Sequence, residues 1–283
     1  MTQTVTLFEM GPRDGLQNEK KQIATADKIA LIDALSGCGF QKIEVTSFVS
    51  PKWVPQMADA ADVLGGITRR AGVVYTALTP NMKGFEAAIA ARADEVAIFG
   101  SASESFSQAN INCSIDDSLV RFSPVVAAAQ ANGTPVRGYV SCVTECPYDG
   151  PTPPEQVARV AKALLDMGCY EISLGDTIGA ATPATTQAML NAVLDVVPVS
   201  QVAGHFHDTH GRALDNIAVS LEMGLRVFDA AVGGLGGCPY APGAKGNVAT
   251  EAVIALLEAR GFTTGIDADA LAKVGEFAKG MRQ

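Results

Sequence analysis

Eight apolar runs of strand length, each followed by a stretch of helix length, fill nearly the whole chain. The strand candidates are Val5–Glu9, Lys42–Ser47, Val73–Leu78, Glu95–Phe99, Val136–Ser141, Glu171–Leu174, Gln201–His205 and Val227–Val232. They are rich in Val and Ile with little polar alternation, the pattern of strands covered on both faces. Helical patterns occupy Asp27–Ser36, Gly84–Arg92, Pro124–Ala131, Glu155–Met167, Thr185–Val196, Arg212–Met223 and Glu251–Arg260, with stop signals at Gly37, Gly168 and Gly224. A strand that returns through a helix lies parallel to its neighbour, so eight such units over about 260 residues predict a (β/α)8 TIM barrel. A doubly wound open sheet is the alternative, because counting strands does not establish closure. The 283 residues contain no linker or shift in composition. They therefore read as one domain, with a barrel over about residues 5–262 and a C-terminal helical segment over about 263–283.

Composition narrows the function classes. The net charge is −9, and the densest basic runs are the pairs Lys20-Lys21 and Arg69-Arg70. That is no footprint for a nucleic acid. Apolar stretches such as Val125–Ala129 fall far short of the roughly 20 residues of a membrane span. The N-terminal segment lacks a basic region followed by an apolar one, so a soluble, cytoplasmic protein is expected. Six cysteines occur without a C-x-x-C pair, and with a core this apolar they read as free thiols rather than disulfides.

A barrel interior is expected to be apolar, so polar residues at the C-terminal strand ends carry the signal. The first strand ends in Glu9-Met-Gly-Pro-Arg13-Asp14-Gly15, and the second carries Glu44 before Thr46-Ser47. The sixth contains Ser173 and ends in Gly175-Asp176-Thr177, and the seventh ends in His205-Phe-His207-Asp208. The chain has three histidines in all, and the third is His210. His205 and His207, two apart on a strand, face the same side. With Asp14 as carboxylate and Asn247 as amide oxygen they make a mixed N/O set suited to Mg²⁺, Mn²⁺ or Co²⁺ rather than structural zinc. His210 is expected to lie outside this set.

The glycine-rich stretch after the eighth strand lacks the last glycine of G-x-G-x-x-G, and no G-K-[ST] follows, so it is not a phosphate loop. It reads instead as a flap that carries Cys238 over the site and excludes water on closing.

The segments GPRDGLQNE (11–19), VTSFVSPKWVPQM (45–57), SLGDTIG (173–179), HFHDTHG (205–211) and GGLGGCPYAPGAKGNVATE (233–251) resemble the 3-hydroxy-3-methylglutaryl-CoA lyase family of metal-dependent barrels, over about residues 5–280. The resemblance implies metal ligands at Asp14, His205, His207 and Asn247, with Glu44 acting near the metal. It implies that Arg13 holds the thioester oxygen, that Asp176 is an acid/base or orienting group, and that Cys238 is needed for turnover. Ser47 and Ser173 would line the substrate pocket. Phe206 stands where some relatives carry cysteine and His210 where tyrosine is common; neither is an expected ligand.

The implied reaction cleaves (S)-3-hydroxy-3-methylglutaryl-CoA to acetyl-CoA and acetoacetate, as in leucine degradation, with a divalent cation as cofactor. The C3 hydroxyl loses a proton to His205 or Asp176, Arg13 stabilises the thioester enolate, and Cys238 or an imidazole returns a proton to carbon. The expected partner is a small acyl-CoA, and superfamily habit suggests a homodimer. Three alternatives stand beside this reading: a lyase for a larger 3-hydroxy-3-alkylglutaryl-CoA, an acetyl-CoA-condensing synthase, and a non-catalytic binding barrel.

Overall fold

The structure is a computed structural model that describes residues 3–238 and 241–282, with the side chains of 238 and 241–245 outside the description. The barrel strands are β1 (Thr6–Glu9), β2 (Lys42–Ser47), β3 (Val74–Leu78), β4 (Glu95–Ser101), β5 (Val136–Ser141), β6 (Glu171–Asp176), β7 (Val202–Phe206) and β8 (Val227–Ala230). They close in the order β1-β8-β7-β6-β5-β4-β3-β2. Closure is made by β1, which pairs with β2 on one side and with β8 on the other, Thr6 registering with Val227. The open-sheet alternative is thereby excluded. Parallel register also sets Asp229 of β8 and Gly175 of β6 on either side of His205.

Helices α1 (Thr25–Ser36), α2 (Ala60–Gly66), α3 (Met82–Ala90), α4 (Glu104–Ile111), α5 (Ile115–Asn132), α6 (Pro154–Met167), α7 (Pro183–Leu194), α8 (Ala213–Glu222) and α9 (Thr250–Ala259) form the outer ring. Two of them were not expected. Helix α2 is short and ends in two glycines, and α4 buries only Phe106 and Ser107, so neither has an apolar stripe to read. A third, α5, starts nine residues before the predicted Pro124. Ser114 caps it by accepting the Asp117 N–H, and the helix runs through Pro124. The proline withholds an N–H from the Val120 carbonyl, and Val120 lies exposed, where solvent can serve that acceptor. After α9 the chain ends in α10 (Ala268–Met281), which buries Leu271, Val274 and Ala278.

The apolar core has two main parts, beside a small cluster of Phe106, Cys142 and Cys146. One lies between strands and helices, and the other fills the barrel with Phe8, Met10, Leu78, Ala97 and Tyr139. The expectation of an apolar interior needs correction. Fully buried Arg137 bonds Glu171 at 2.8 Å and lies 2.8 Å from Asp229, with its guanidinium over the Phe8 ring. Lys42 bonds Glu95 nearby. Buried charges are tolerated when each finds a partner, and here they do. Cys38, Cys113, Cys142, Cys146 and Cys169 are free and buried. Among the described residues, no helix is long and apolar enough to cross a membrane.

Candidate functional site

Immediately after β1, Gly11–Gly15 forms a single π-helical turn opened by Pro12. Such wide turns recur where side chains must be re-aimed at a site, and this one delivers Arg13 and Asp14 to the barrel mouth. Across the mouth, His205 is the penultimate residue of β7 and His207 follows the strand, their rings 5.3 Å apart. The chain returning after β8 runs beside this strand end: Asn247 bridges to His207, and the Val248 N–H donates to the Phe206 carbonyl. Asn247 is thus brought against Asp14, to whose Oδ2 its amide nitrogen donates at 2.8 Å. Gly236 makes room for it. Its φ is +107° and a Cβ there would sit 2.8 Å from the Asn247 amide nitrogen.

Asp14, His205 and His207 offer ligand atoms that all lie within 4.8 Å of one another. Asp14 Oδ2 is 3.9 Å from His205 Nε2 and 4.0 Å from His207 Nε2. Two atoms each about 2.1 Å from one ion can be up to about 4.2 Å apart, so both separations fit a shared cation. The protonation states suit one as well. Burial, reinforced by neighbouring His205, lowers the His207 pKa to about 4, which leaves a neutral imidazole with a free lone pair. Burial alone would raise the Asp14 pKa, but Arg13 and the two imidazoles hold it well below the usual carboxylate range. His205 Nδ1 meets Asp229 Oδ2 at 3.1 Å, which places its proton on that nitrogen and turns Nε2 toward Asp14. Its pKa is raised despite burial, because Asp229 and Asp14 favour positive charge at the ring. A cation beside Nε2 satisfies the same demand. The donor set fits a divalent metal.

Arg13 is fixed by two carboxylates. Its Nε donates to Glu44 Oε2 and its Nη1 to Asp14 Oδ1. Glu44 is fully buried and also accepts from the Tyr139 hydroxyl at 3.1 Å. Burial raises its pKa against the opposing pull of Arg13. The guanidinium is therefore held in a defined plane, with Nη2 lacking a hydrogen-bond acceptor among the described residues.

These groups face a cavity of about 300 Å³. Arg13, Asp14, Gln17, Ser173, Thr177, His205 and His207 line its polar side, and Val49, Val54, Leu78 and Phe99 supply apolar wall. Four predicted residues stand off the cavity: Glu44 behind Arg13, Asn247 behind Asp14, and Asp176 and Ser47. The Asp176 carboxylate accepts from the Ala181 N–H and from Thr144, behind the lining residues Gly175 and Thr177, and burial pushes its pKa up to about 6. Ser47 is buried with its hydroxyl unpaired and does not reach the lining. Ser173 lines the cavity while donating to Asp229 at 2.7 Å. His210 is exposed. The expected flap is a hairpin of Gly237–Cys238 against Ala241–Lys245, and the Cys238 side chain lies outside the described residues.

Sequence reasoning missed Asp229, Arg137, Tyr139 and Glu9. Asp229 joins His205, Ser173 and Arg137. Burial alone would raise the Asp229 pKa, but Arg137 and His205 together hold it down to about 2. The missed signal was a charge in the middle of an apolar strand, in Val-Arg137-Gly-Tyr and Val-Phe-Asp229-Ala. Glu9 ties the mouth together: its carboxylate accepts from the Gly11 and Val232 N–H groups and the Thr250 hydroxyl, each at 2.8 Å.

The HMGL-like family model matches residues 4–278. A 3-hydroxy-3-isohexenylglutaryl-CoA/hydroxy-methylglutaryl-CoA lyase from Pseudomonas aeruginosa is 59% identical over 96% of this chain and 91% of its own. The mitochondrial hydroxymethylglutaryl-CoA lyase of Bos taurus is 58% identical over 96% of this chain and 84% of its own. The crystal structure of the HMG-CoA lyase from Brucella melitensis superposes with a TM-score of 0.99 at 62% identity, covering 99% of each chain. With the family matched along nearly its whole length and relatives named as lyases rather than synthases or binding proteins, the chain is a carbon–carbon lyase and belongs to the HMGL-like family.

Proposed function

We propose that the protein cleaves (S)-3-hydroxy-3-methylglutaryl-CoA into acetyl-CoA and acetoacetate. The observation that carries this reading is the placement of Arg13 beside the Asp14–His205–His207 cluster at one cavity. Asp14, His205 and His207 would hold a divalent cation, Mg²⁺ or Mn²⁺, and a half-turn of the Asn247 amide would add its oxygen. When bound, such an ion supplies Lewis acidity that makes the substrate hydroxyl a better acid.

The protein's own residues account for the remaining chemistry. A His205 that ligates through Nε2 and donates from Nδ1 to Asp229 has no nitrogen left for the C3 hydroxyl proton. That duty falls to Asp176, whose pKa near 6 suits a base at neutral pH, through a water or hydroxyl relay, because its carboxylate lies behind Gly175 and Thr177. As the C2–C3 bond breaks, its electron pair moves into the thioester as an enolate and the C3 oxygen becomes the ketone of acetoacetate. Arg13, permanently charged and held by Glu44, stabilises the enolate oxygen. Cys238 returns a proton to C2, and the glycine-rich hairpin excludes water. We also propose that the enzyme is cytoplasmic and, by superfamily habit, a homodimer.

A second reading concerns the alkyl group. The apolar wall of Val49, Val54, Leu78 and Phe99 offers contact for a chain longer than methyl. Incubation with the methyl and isohexenyl substrates, with both products quantified, tests both readings. Equal amounts of acetyl-CoA and acetoacetate from the methyl compound are expected. Cleavage of neither substrate would refute the lyase reading, and a preference for isohexenyl would replace the methyl substrate.

A further inference from the structure

We propose that buried Arg137 is a positioning residue that holds the metal ligands and Arg13 in one frame; this rests on the lyase reading above. Arg137 and Tyr139 lie two apart on β5, so both side chains enter the barrel. In the strand order β5 stands opposite β1. The Arg137 side chain crosses that interior fully buried and does not reach the cavity lining. Its guanidinium lies 4.4 Å from the centre of the Phe8 ring on β1 and 5.1 Å from that of Tyr139, which fixes its plane.

Three nitrogens then point to three partners. Nε donates to Glu171 at 2.8 Å, and Nη2 lies 2.8 Å from Asp229 Oδ1. Two carboxylates already exceed the single charge of the guanidinium, so neutralisation does not call for a third contact. Nη1 nevertheless donates to the Tyr139 hydroxyl at 3.1 Å. That hydroxyl donates on to Glu44 Oε1 at 3.1 Å, and Glu44 Oε2 accepts from Arg13 Nε. The other arm runs from Asp229 Oδ2 to His205 Nδ1 at 3.1 Å. The two arms meet again at Asp14, which accepts from Arg13 Nη1 on Oδ1 and faces His205 Nε2 with Oδ2. Arg137 therefore closes a circuit of contacts, and neither His205 nor Arg13 can shift without disturbing it. A planar fork reaches acceptors in these three directions, whereas a lysine ammonium in its place retains the charge and loses the geometry. The consequence is kinetic, because a misplacement of about 1 Å at a reacting centre can cost about 100-fold in rate.

Two substitutions cut the circuit at chosen points, with folding followed by circular dichroism. Tyr139→Phe keeps the aromatic ring and breaks only the arm to Glu44 and Arg13. With 3-hydroxy-3-methylglutaryl-CoA and saturating Mn²⁺ its kcat should fall about 10- to 100-fold, while Mn²⁺ affinity by calorimetry stays at the wild-type value. Arg137→Lys breaks both arms, so kcat should fall by a similar factor and Mn²⁺ affinity should fall about 10- to 100-fold. Because both substitutions cut the same arm, the double variant should turn over no more slowly than Arg137→Lys alone. A role in stability alone predicts a lower melting temperature with kcat and Mn²⁺ affinity intact in folded Arg137→Lys, and that result overturns the proposal. So do losses in kcat that multiply in the double variant. Should Arg137→Lys fail to fold, Tyr139→Phe decides: a wild-type kcat overturns the proposal, and a fall in kcat at unchanged Mn²⁺ affinity supports it. A wild-type protein that cleaves nothing refutes the lyase reading instead. Mn²⁺ binding by folded Arg137→Lys then decides the proposal on its own, and an unchanged affinity overturns it.

Discussion

Replacing Asp229 by Asn removes one charge and keeps the shape, and its consequences follow from three contacts. Oδ2 accepts from Ser173 at 2.7 Å and faces His205 Nδ1 at 3.1 Å, while Oδ1 lies 2.8 Å from Arg137 Nη2. An amide has one acceptor oxygen for these three donors. With that oxygen toward His205, the NH₂ confronts the Arg137 guanidinium; turned the other way, His205 and Ser173 lose their acceptor. Arg137 is fully buried and keeps only Glu171 as a charged partner. Stripping one partner from a buried pair costs about 3 kcal/mol, the low end of the usual range because Glu171 remains. For a chain of this size that is a fall in melting temperature of roughly 5 °C. The second effect is functional. Without a carboxylate on Nδ1, His205 is less basic and less well oriented, and loss of such a partner weakens metal affinity by about 10- to 100-fold. Thermal denaturation by circular dichroism and Mn²⁺ titration by calorimetry read the two effects separately. A folded variant with wild-type Mn²⁺ affinity would refute the role given to Asp229.

Three further perturbations test other parts of the site. Arg13→Gln should still bind Mn²⁺ yet lose about 100- to 1000-fold in turnover, and near-normal kcat in a steady-state assay removes Arg13 from the mechanism. Glu9 has its pKa raised by burial from 4.5 to about 7, so it favours the folded state most below pH 4.5 and loses that advantage as pH rises through 7. The swing is about 3 kcal/mol. Glu9→Gln can keep the Gly11 and Val232 bonds, and should flatten denaturant-measured stability across that window; an unchanged pH profile contradicts the assignment. Gly236→Ala forces a side chain into a φ of +107° against Asn247, and should cost about 1–3 kcal/mol and weaken Mn²⁺ binding, whereas a neutral result in both measurements would show that Asn247 does not depend on that glycine.

The barrel was legible because eight strands buried on both faces leave eight mainly apolar runs, whose boundaries the structure matches within two residues. Helices α2 and α4 were not, since a helix that buries two or three side chains leaves no period to detect. The cluster of Asp14, His205 and His207 was legible because each lies at a strand end, where polarity stands out. Its support was hidden for the opposite reason. Asp229 and Arg137 sit inside apolar strands, and only the parallel register that sets β8 beside β7 reveals that one orients His205 and the other neutralises it. Asp176 and Ser47 belong to the right strands, but side-chain direction at a strand end follows local hydrogen bonds and bulges. The register shift between Glu44 and Thr46 is one such case.

The central claim is that one divalent cation at Asp14, His205 and His207 enables carbon–carbon cleavage. Protein stripped with a chelator should show no release of acetoacetate from 3-hydroxy-3-methylglutaryl-CoA, and one equivalent of Mn²⁺ per chain should restore it. His207→Ala should stay silent at that concentration. Full activity in the stripped protein, or restoration of His207→Ala by the same single equivalent, would contradict the account.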